Sequence, residues 1–380
     1  MTESIIIRNL GPIHDVEILD LRPLTVFIGE SGSGKSTILK TVALFRWIYK
    51  MMSIRTYLKL SGISKSPFRF SFKTYIRNCG FEGYLKADTE IIYSNGNCTI
   101  HYTGGKLDTG SLLDLSELSL EKVSFVSDTR GLIPTLIANN AENRSIGFYL
   151  RETLEDYILA TKEIRDFSID YLGVRFAAKK GVGGDNFFIE GIDQERPFSI
   201  KLEDSSSGTQ TIAPLSIIVE YFSRHYDLVK SLNDAVFRYL KDSDRLSEFK
   251  AVKDIGSIKY NRVNIHIEEP ELSLYPESQR NLINYLVNRC ISNGPSAYSM
   301  TLMMATHSPY IVNQINLLLL ASRKDTTEEG AKLELHDVDV FEIVDGCLND
   351  LKRLESSIID ARPLSDPIAH IYEKYNSLNG

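Results

Sequence analysis

An α/β fold built on a parallel sheet is what the sequence predicts, and three observations predict it. Short β-branched or apolar runs alternate with longer apolar-rich segments of helical length, the pattern of strands joined by crossover helices. One of those runs ends in a glycine-rich loop that opens a helix. Two later runs end in ionisable side chains, Glu268 with Glu269, and His307.

Taken in order, "SIIIRNL" (4–10) and "LTVFIG" (24–29) read as buried strands closed by turn residues. "STILKTVALFRWIYK" (36–50) reads as a helix. In "EIIYSNGNCTIHY" the pair Asn95-Gly96 suits the positive φ of a tight turn, so the stretch predicts a hairpin. Residues 135–175 read as largely helical, and "NFFIEG" with "PFSIKL" as a strand pair. Residues 211–250 read as helical again. "RVNIHIEEP", "MTLMMATHS" and "VDVFEIVDG" then give strands, with "ESQRNLINYLVNRC" and "PYIVNQINLLLLA" as helices between them. No internal repeat or long low-complexity tract interrupts the chain.

The 380 residues suffice for one large domain or two modest ones. Apolar residues make up 43% and charged residues 24%, enough for a sizeable core in a soluble protein. A net charge of −7 argues against coating nucleic acid by bulk charge, while leaving room for a local basic patch. Residues 37–80 are such a stretch: nine Lys or Arg, no Asp or Glu, with Phe68, Phe70, Phe72 and Tyr75 interleaved. They are expected to form a solvated face or a contact for nucleic acid or an acidic partner. Cys79, Cys98, Cys290 and Cys347 form no CxxC pair and are expected as free thiols of a reducing compartment. With no signal-like N-terminus and no apolar run long enough to span a bilayer, a cytoplasmic protein without membrane contact is expected.

"GESGSGKST" matches G-x-x-x-x-G-K-[ST] across Gly29, Glu30, Ser31, Gly32, Ser33, Gly34, Lys35, Ser36 and Thr37. Glycines let such a loop curl so that its N–H groups point at phosphate oxygens, and the helix N-terminus adds positive dipole. Lys35 is placed to reach the β- and γ-phosphates, and the Ser36 hydroxyl to ligate Mg²⁺. Adjacent carboxylates at a strand end repel unless a cation or a reaction uses them. Glu268 is therefore expected in the Mg²⁺ shell and Glu269 on the attacking water. His307 is expected either to contact the γ-phosphate or to be structural. "SSSGTQ" (205–210) has the composition of a linker, and local composition does not decide its role.

"IRNLGPIHDVEILDLRPLTVFIGESGSGKST", "SSSGTQ", "IEEPELSLYP" and "ATHSPYIVNQI", in that order, resemble the ATP-binding-cassette ATPases of the SMC/OLD branch. The small AAA-named ATPases of prokaryotic defence loci are similar. The resemblance covers roughly 4–42 and 200–316. It implies a P-loop NTPase of ABC-ATPase head type with an antiparallel β subdomain and a helical insertion. Head segments are expected at 1–50 and 196–350, an inserted β and helical lobe at 51–195, and a tail at 351–380. It further implies that Ser207, Gly208 and Gln210 form a signature motif, with Ser206 and Thr209 departing from the usual leucine and glycine. A serine hydroxyl, a bare glycine backbone and a helix N-terminus make a second phosphate-binding surface.

The implied function is an ATPase, with ATP and Mg²⁺, that works as a homodimeric switch through shared ATP sites. It would sense or process nucleic acid and control a separately encoded nuclease or toxin in anti-phage defence. A transporter motor, an OLD-like nuclease and a non-hydrolysing scaffold are the alternatives. The separation of 61 positions from Gly208 to Glu269 disfavours the first. The 73 residues after His307 are few for the nuclease domain of OLD relatives, and Asp337 and Asp339 are expected to be structural. No Gln lies between Ser36 and Gln194, so the usual Mg²⁺-sensing glutamine is replaced, with 124–131 the segment expected to replace it.

Overall fold

The computed structural model describes residues 2–63, 71–110, 113–139, 146–181, 184–193, 195–242, 245, 247–252, 254, 258, 260–326 and 329–379. Strands β1 (Glu3–Leu10), β2 (Ile13–Ile18) and β3 (Leu24–Ile28) lead into helix α1 (Lys35–Leu60). After α2 (Phe72–Asn78) come β4 (Leu85–Asn95), β5 (Cys98–Thr103), β6 (Lys106–Asp108) and β7 (Ser119–Val126). Helices α3 (Ile133–Ala138) and α4 (Phe148–Glu163) precede β8 (Asp166–Ile169), β9 (Val174–Gly181), β10 (Gly184–Gly191) and β11 (Ser199–Lys201). The chain continues through α5 (Ser207–Glu220), α6 (Leu228–Asp242), β12 (Tyr260–Glu268), α7 (Pro276–Val287), β13 (Ser299–Thr306) and α8 (Pro309–Arg323). It closes with β14 (Val338–Val344), β15 (Cys347–Asp350) and α9 (Arg362–Asn379).

Eleven strands form one mixed sheet in the order β6-β5-β4-β1-β2-β15-β14-β3-β13-β12-β7. From β14 to β7 the neighbours are parallel. From β2 to β6 they are antiparallel, the β subdomain the family likeness implies. β3 is buried along its length and β12 over its last six residues, as expected of strands covered on both faces. Thr306 pairs with Ile28, Glu268 with Ala305, and Ile267 with Val126. That register brings the C-terminal ends of β3, β13, β12 and β7 to one edge, where open parallel sheets bind ligands.

α1 runs ten residues past the predicted end and is buried nearly all round, nineteen of its 26 residues. Two of its cations pair inward, while Arg55 and Lys59 are exposed. Arg46 is fully buried against Glu3, at 2.7 and 3.0 Å, and Lys40 pairs with Glu268. Neither lies on a solvated basic face. On α2, Phe72 packs at a tilt against Tyr102 and Tyr75 against Trp47, so these aromatics serve packing. Phe68 and Phe70 lie outside the described residues, as do Lys65 and Arg69.

The β4–β5 hairpin forms, but its turn is Gly96-Asn97, since Asn95 pairs with Cys98. Gly96 supplies the positive φ, 60°, at the first central position. Residues 135–175 are less helical than predicted, because Phe167 and Ile169 pair with Phe176 and Val174 across β8 and β9. These strands and β10–β11 make a separate four-stranded sheet. It packs on α4 through Tyr157 and Phe187, and touches α5 through Tyr171 and Ser216. β4 to β7, from the stretch expected as an inserted lobe, extend the main sheet.

Candidate functional site

The loop between β3 and α1 carries Gly29, Gly32 and Gly34 at φ 149°, 81° and 113°, values that L side chains disfavour. At Gly34, the N-cap of α1, a Cβ would also come within 2.3 Å of Ile13. Lys35 opens the helix and turns its Nζ back to the carbonyls of Gly29 and Glu30, at 2.9 and 2.6 Å. Burial lowers its pKa, opposed by the nearby Glu269 and Glu271 carboxylates. Glu30, Ser31 and Gly32 are exposed. Ser33 Oγ is buried without a partner, and Thr37 is buried behind the loop. Beside the loop lies a cavity of about 730 Å³, bounded also by His14, Asp345 and Leu364. It is large enough for a nucleotide.

Glu268 closes β12 and is 2% exposed. Its Oε1 meets Lys40 Nζ at 2.8 Å, and its Oε2 is buried with no hydrogen-bond partner. Burial raises its pKa, countered by Lys40 and by the Ser36 hydroxyl. Glu269 follows with φ 43°, a left-handed backbone rare outside glycine. Its N–H donates to Ala305 O at 2.8 Å, which fixes it to the end of β13. Glu269 Oε1 lies 3.6 Å from His307 Nε2, both side chains being about one-third exposed.

The stretch expected as a signature motif caps α5. Ser206 Oγ accepts from Thr209 N as N-cap, Ser207 is exposed at the helix start, and Gly208 backs onto the loop after Glu269. A Cβ on Gly208 would stand 2.8 Å from Ser273 O. Gln210 turns inward, its Nε2 donating to Glu203 O and Ser205 O at 2.8 Å each. Among the described residues, no hydrogen bond joins Ser207, Gly208 or Gln210 to the P-loop of the same chain.

Three further side chains belong to this edge, and sequence reasoning missed them as site residues. Glu271 Oε1 accepts from Thr306 Oγ1 (2.8 Å) and from the His307 backbone N–H (2.6 Å), which orients the residue bearing the imidazole. Lys40 neutralises Glu268 from α1. Arg130 is fully buried after β7, and donates to the carbonyls of Glu268 and Glu269 at 2.8 and 2.7 Å. The last lies in 124–131, the stretch expected to replace the missing glutamine. Asp128, in the same stretch, is exposed, and its charge acts on Glu268. A proline-spaced second acid in "EEPE" was the available signal for Glu271.

Asp339 does not converge with Asp337: its carboxylate meets Lys352 at 2.5 Å, while Asp337 faces His336. Among the described residues no group of three or more His, Cys, Asp or Glu side chains is arranged to hold a metal. No helix among them is long and apolar enough to cross a membrane.

A P-loop on β3, paired acids on β12 and a histidine after β13 share one edge of a mixed sheet. The fold is a mixed α/β sheet whose parallel half carries these groups at its carboxyl edge. Residues 136–312 match the family model described as an AAA ATPase domain. That span holds Ser207, Glu268, Glu269 and His307, and the P-loop lies outside it. No curated protein matches the chain. Among solved structures, an SMC head bound to the C-winged helix domain of ScpA is similar at 10% identity and TM-score 0.41, covering 93% of this chain and 98% of that one. The recombination mediator protein RecF-ATPrS of the RecFOR pathway is similar at 9% identity and TM-score 0.34, covering 92% and 98%.

Proposed function

We propose that the protein hydrolyses ATP and acts as a homodimeric switch. Each ATP is held between the P-loop of one copy and the Ser207–Gln210 signature of the other. The observation that carries this reading is the shared edge of Lys35, Glu268, Glu269 and His307, with an exposed Ser207 that makes no hydrogen bond to its own P-loop. A helix N-terminus with an exposed hydroxyl is suited to an anion, and a second copy's ATP would supply one. Control of a separately encoded nuclease or toxin in anti-phage defence, and contact with nucleic acid, rest on the family resemblance.

In this reading Lys35 leaves its two loop carbonyls for the β- and γ-phosphates. Glu269 orients the attacking water and accepts its proton. His307, held by Glu271, lies beside Glu269 where the γ-phosphate would sit. The residues fit Mg²⁺ as well: a buried carboxylate oxygen without a partner on Glu268 lies near the Ser36 hydroxyl. Ser36 and Glu268 would hold the ion, whose charge neutralises the phosphates when bound.

Purified protein should turn over ATP. Glu269→Gln should keep ATP affinity while kcat falls about 10²- to 10⁴-fold, and ATP-bound dimers should accumulate on gel filtration. Turnover at the wild-type rate would remove Glu269 from this role. Lys35→Ala should show no ATP binding by calorimetry; undiminished affinity would refute the cradle.

A further inference from the structure

Arg130 is one of the two largest fully buried side chains, and among the described residues no carboxylate lies within ion-pair distance of it. Peptide carbonyls hold it instead. Nη1 donates to Glu268 O at 2.8 Å and to Ser127 O at 3.1 Å. Nη2 donates to Glu269 O at 2.7 Å, and Nε to Thr211 O at 3.1 Å. Burial pulls its pKa down to about 10, so it remains a cation at neutral pH. Burying a charge is costly, and the carboxylates of Glu271, Asp128, Glu269 and Glu268 offset part of that cost from beyond ion-pair distance. A rigid fork of five donors is suited to holding several carbonyls in one geometry.

The carbonyls it holds matter more than their number. Glu268 O and Glu269 O belong to the peptide planes on either side of the Glu269 α-carbon. That residue is the one with φ 43°, so Arg130 grips both planes that set where the Glu269 carboxylate points. Thr211 is on the signature helix α5, four residues after Ser207. A second tie runs in parallel, from Thr211 Oγ1 to Leu272 O at 3.2 Å. Gly208 lies against Ser273 O in the same loop.

We infer that Arg130 is a positioning residue that ties each copy's signature helix to its own Glu269, so that engagement of one ATP sets the geometry at the other. The inference rests on the two-copy reading above. The signature of a copy meets the ATP bound by its neighbour, while Glu269 of that copy acts on the ATP it binds itself. Arg130 joins the two within one chain. A small displacement of α5 turns the peptide planes flanking Glu269 and so moves its carboxylate with respect to the water.

The test is steady-state ATP hydrolysis by the full chain, read with ATP-driven dimerisation. Wild type should show a Hill coefficient approaching 2, the limit for two coupled sites. Arg130→Gln should lower kcat about tenfold or more, leave KM within about twofold and bring the Hill coefficient to about 1. Glu269→Gln/Arg130→Gln should still dimerise with ATP. Arg130→Lys, which keeps the charge but not the fork, should recover part of kcat. If Arg130→Gln fails to fold, Thr211→Val removes the parallel tie with little change in volume and should still lower the Hill coefficient. Dimerisation of Glu269→Gln with ATP, together with unchanged cooperativity in the Arg130 or Thr211 variants, overturns the relay and leaves the shared sites standing. Glu269→Gln that stays monomeric in ATP overturns the two-copy reading and the relay with it.

Discussion

Glu269 occupies a backbone conformation that costs a non-glycine residue about 1–3 kcal/mol, and its neighbours hold it there. Its N–H is fixed to Ala305 O and its carbonyl to Arg130. Glu271 does the same for His307 without touching the imidazole. Glu271→Ala should leave the Thr306 hydroxyl proton and the His307 N–H without their acceptor, at about 1–3 kcal/mol, while Thr306 Oγ1 keeps the Ser308 N–H. Both Tm and kcat should fall; a variant with wild-type kcat would separate His307 placement from turnover. Glu268 and Glu269 were legible because two adjacent carboxylates at the end of an apolar strand demand a reason. Glu271 and Arg130 were not. The "EEPE" spacing marks Glu271 as an acid but not its bond to the distant His307 N–H. Arg130 reaches the carbonyls of Glu268, Glu269 and Thr211 far along the chain, which leaves no local pattern to read.

At the scale of elements, α5 answers what "SSSGTQ" does. It is a capped helix start, with Ser206 as N-cap, Ser207 outward and Gly208 packed tightly on the Ser273 carbonyl. Ser207→Arg should leave each copy able to bind ATP but block its neighbour's phosphates. Mixed with Lys35→Ala protein, it should regain partial hydrolysis, because one of the two shared sites then lacks both lesions. Absence of recovery in verified heterodimers would contradict the shared geometry. β3, β12, β13 and β14 of the parallel half were legible as apolar-rich runs with clear ends, whereas β7, with Glu121 and Lys122 inside it, was not read as a strand. β8 and β9 were not legible either: β8 is short, both are half exposed, and they are formed by cross-strand pairs such as Phe167 with Phe176. α1 was read too short, because its later turns are fixed by tertiary burial against α6, through residues such as Ile54 and Val236.

Across the whole molecule, a buried polar network joins β1, β4, β12 and α1. Glu3 takes Arg46, Tyr93 and Arg262, and Arg46 also reaches His266. Burial alone would raise the Glu3 pKa, but Arg46, Arg262 and Tyr93 bring it down to about 2 from 4.5. Its stabilisation is therefore complete above about pH 4.5 and is lost as pH falls through about 2. His266 is held down to about 3 from 6.5, by burial first and then by Arg46. The unfolded chain binds that proton more readily, so stability declines from about pH 6.5 toward 3. Acid denaturation should thus begin near pH 6.5 and steepen below 4.5. Glu3→Gln should cost about 3–5 kcal/mol at neutral pH and flatten the steeper limb in urea titrations across this range; an unchanged limb would place the acid sensitivity elsewhere. The thiols are distributed just as unevenly. Cys79, Cys98 and Cys290 are buried, and their thiols are pushed by burial to about 11, 11 and 12. Cys347 is exposed, next to Asp345 and Gly346 on the rim of the nucleotide-sized cavity. An unmodified native chain therefore carries a selective attachment point for a maleimide dye at that rim, and its emission would follow the filling and emptying of the cavity in real time.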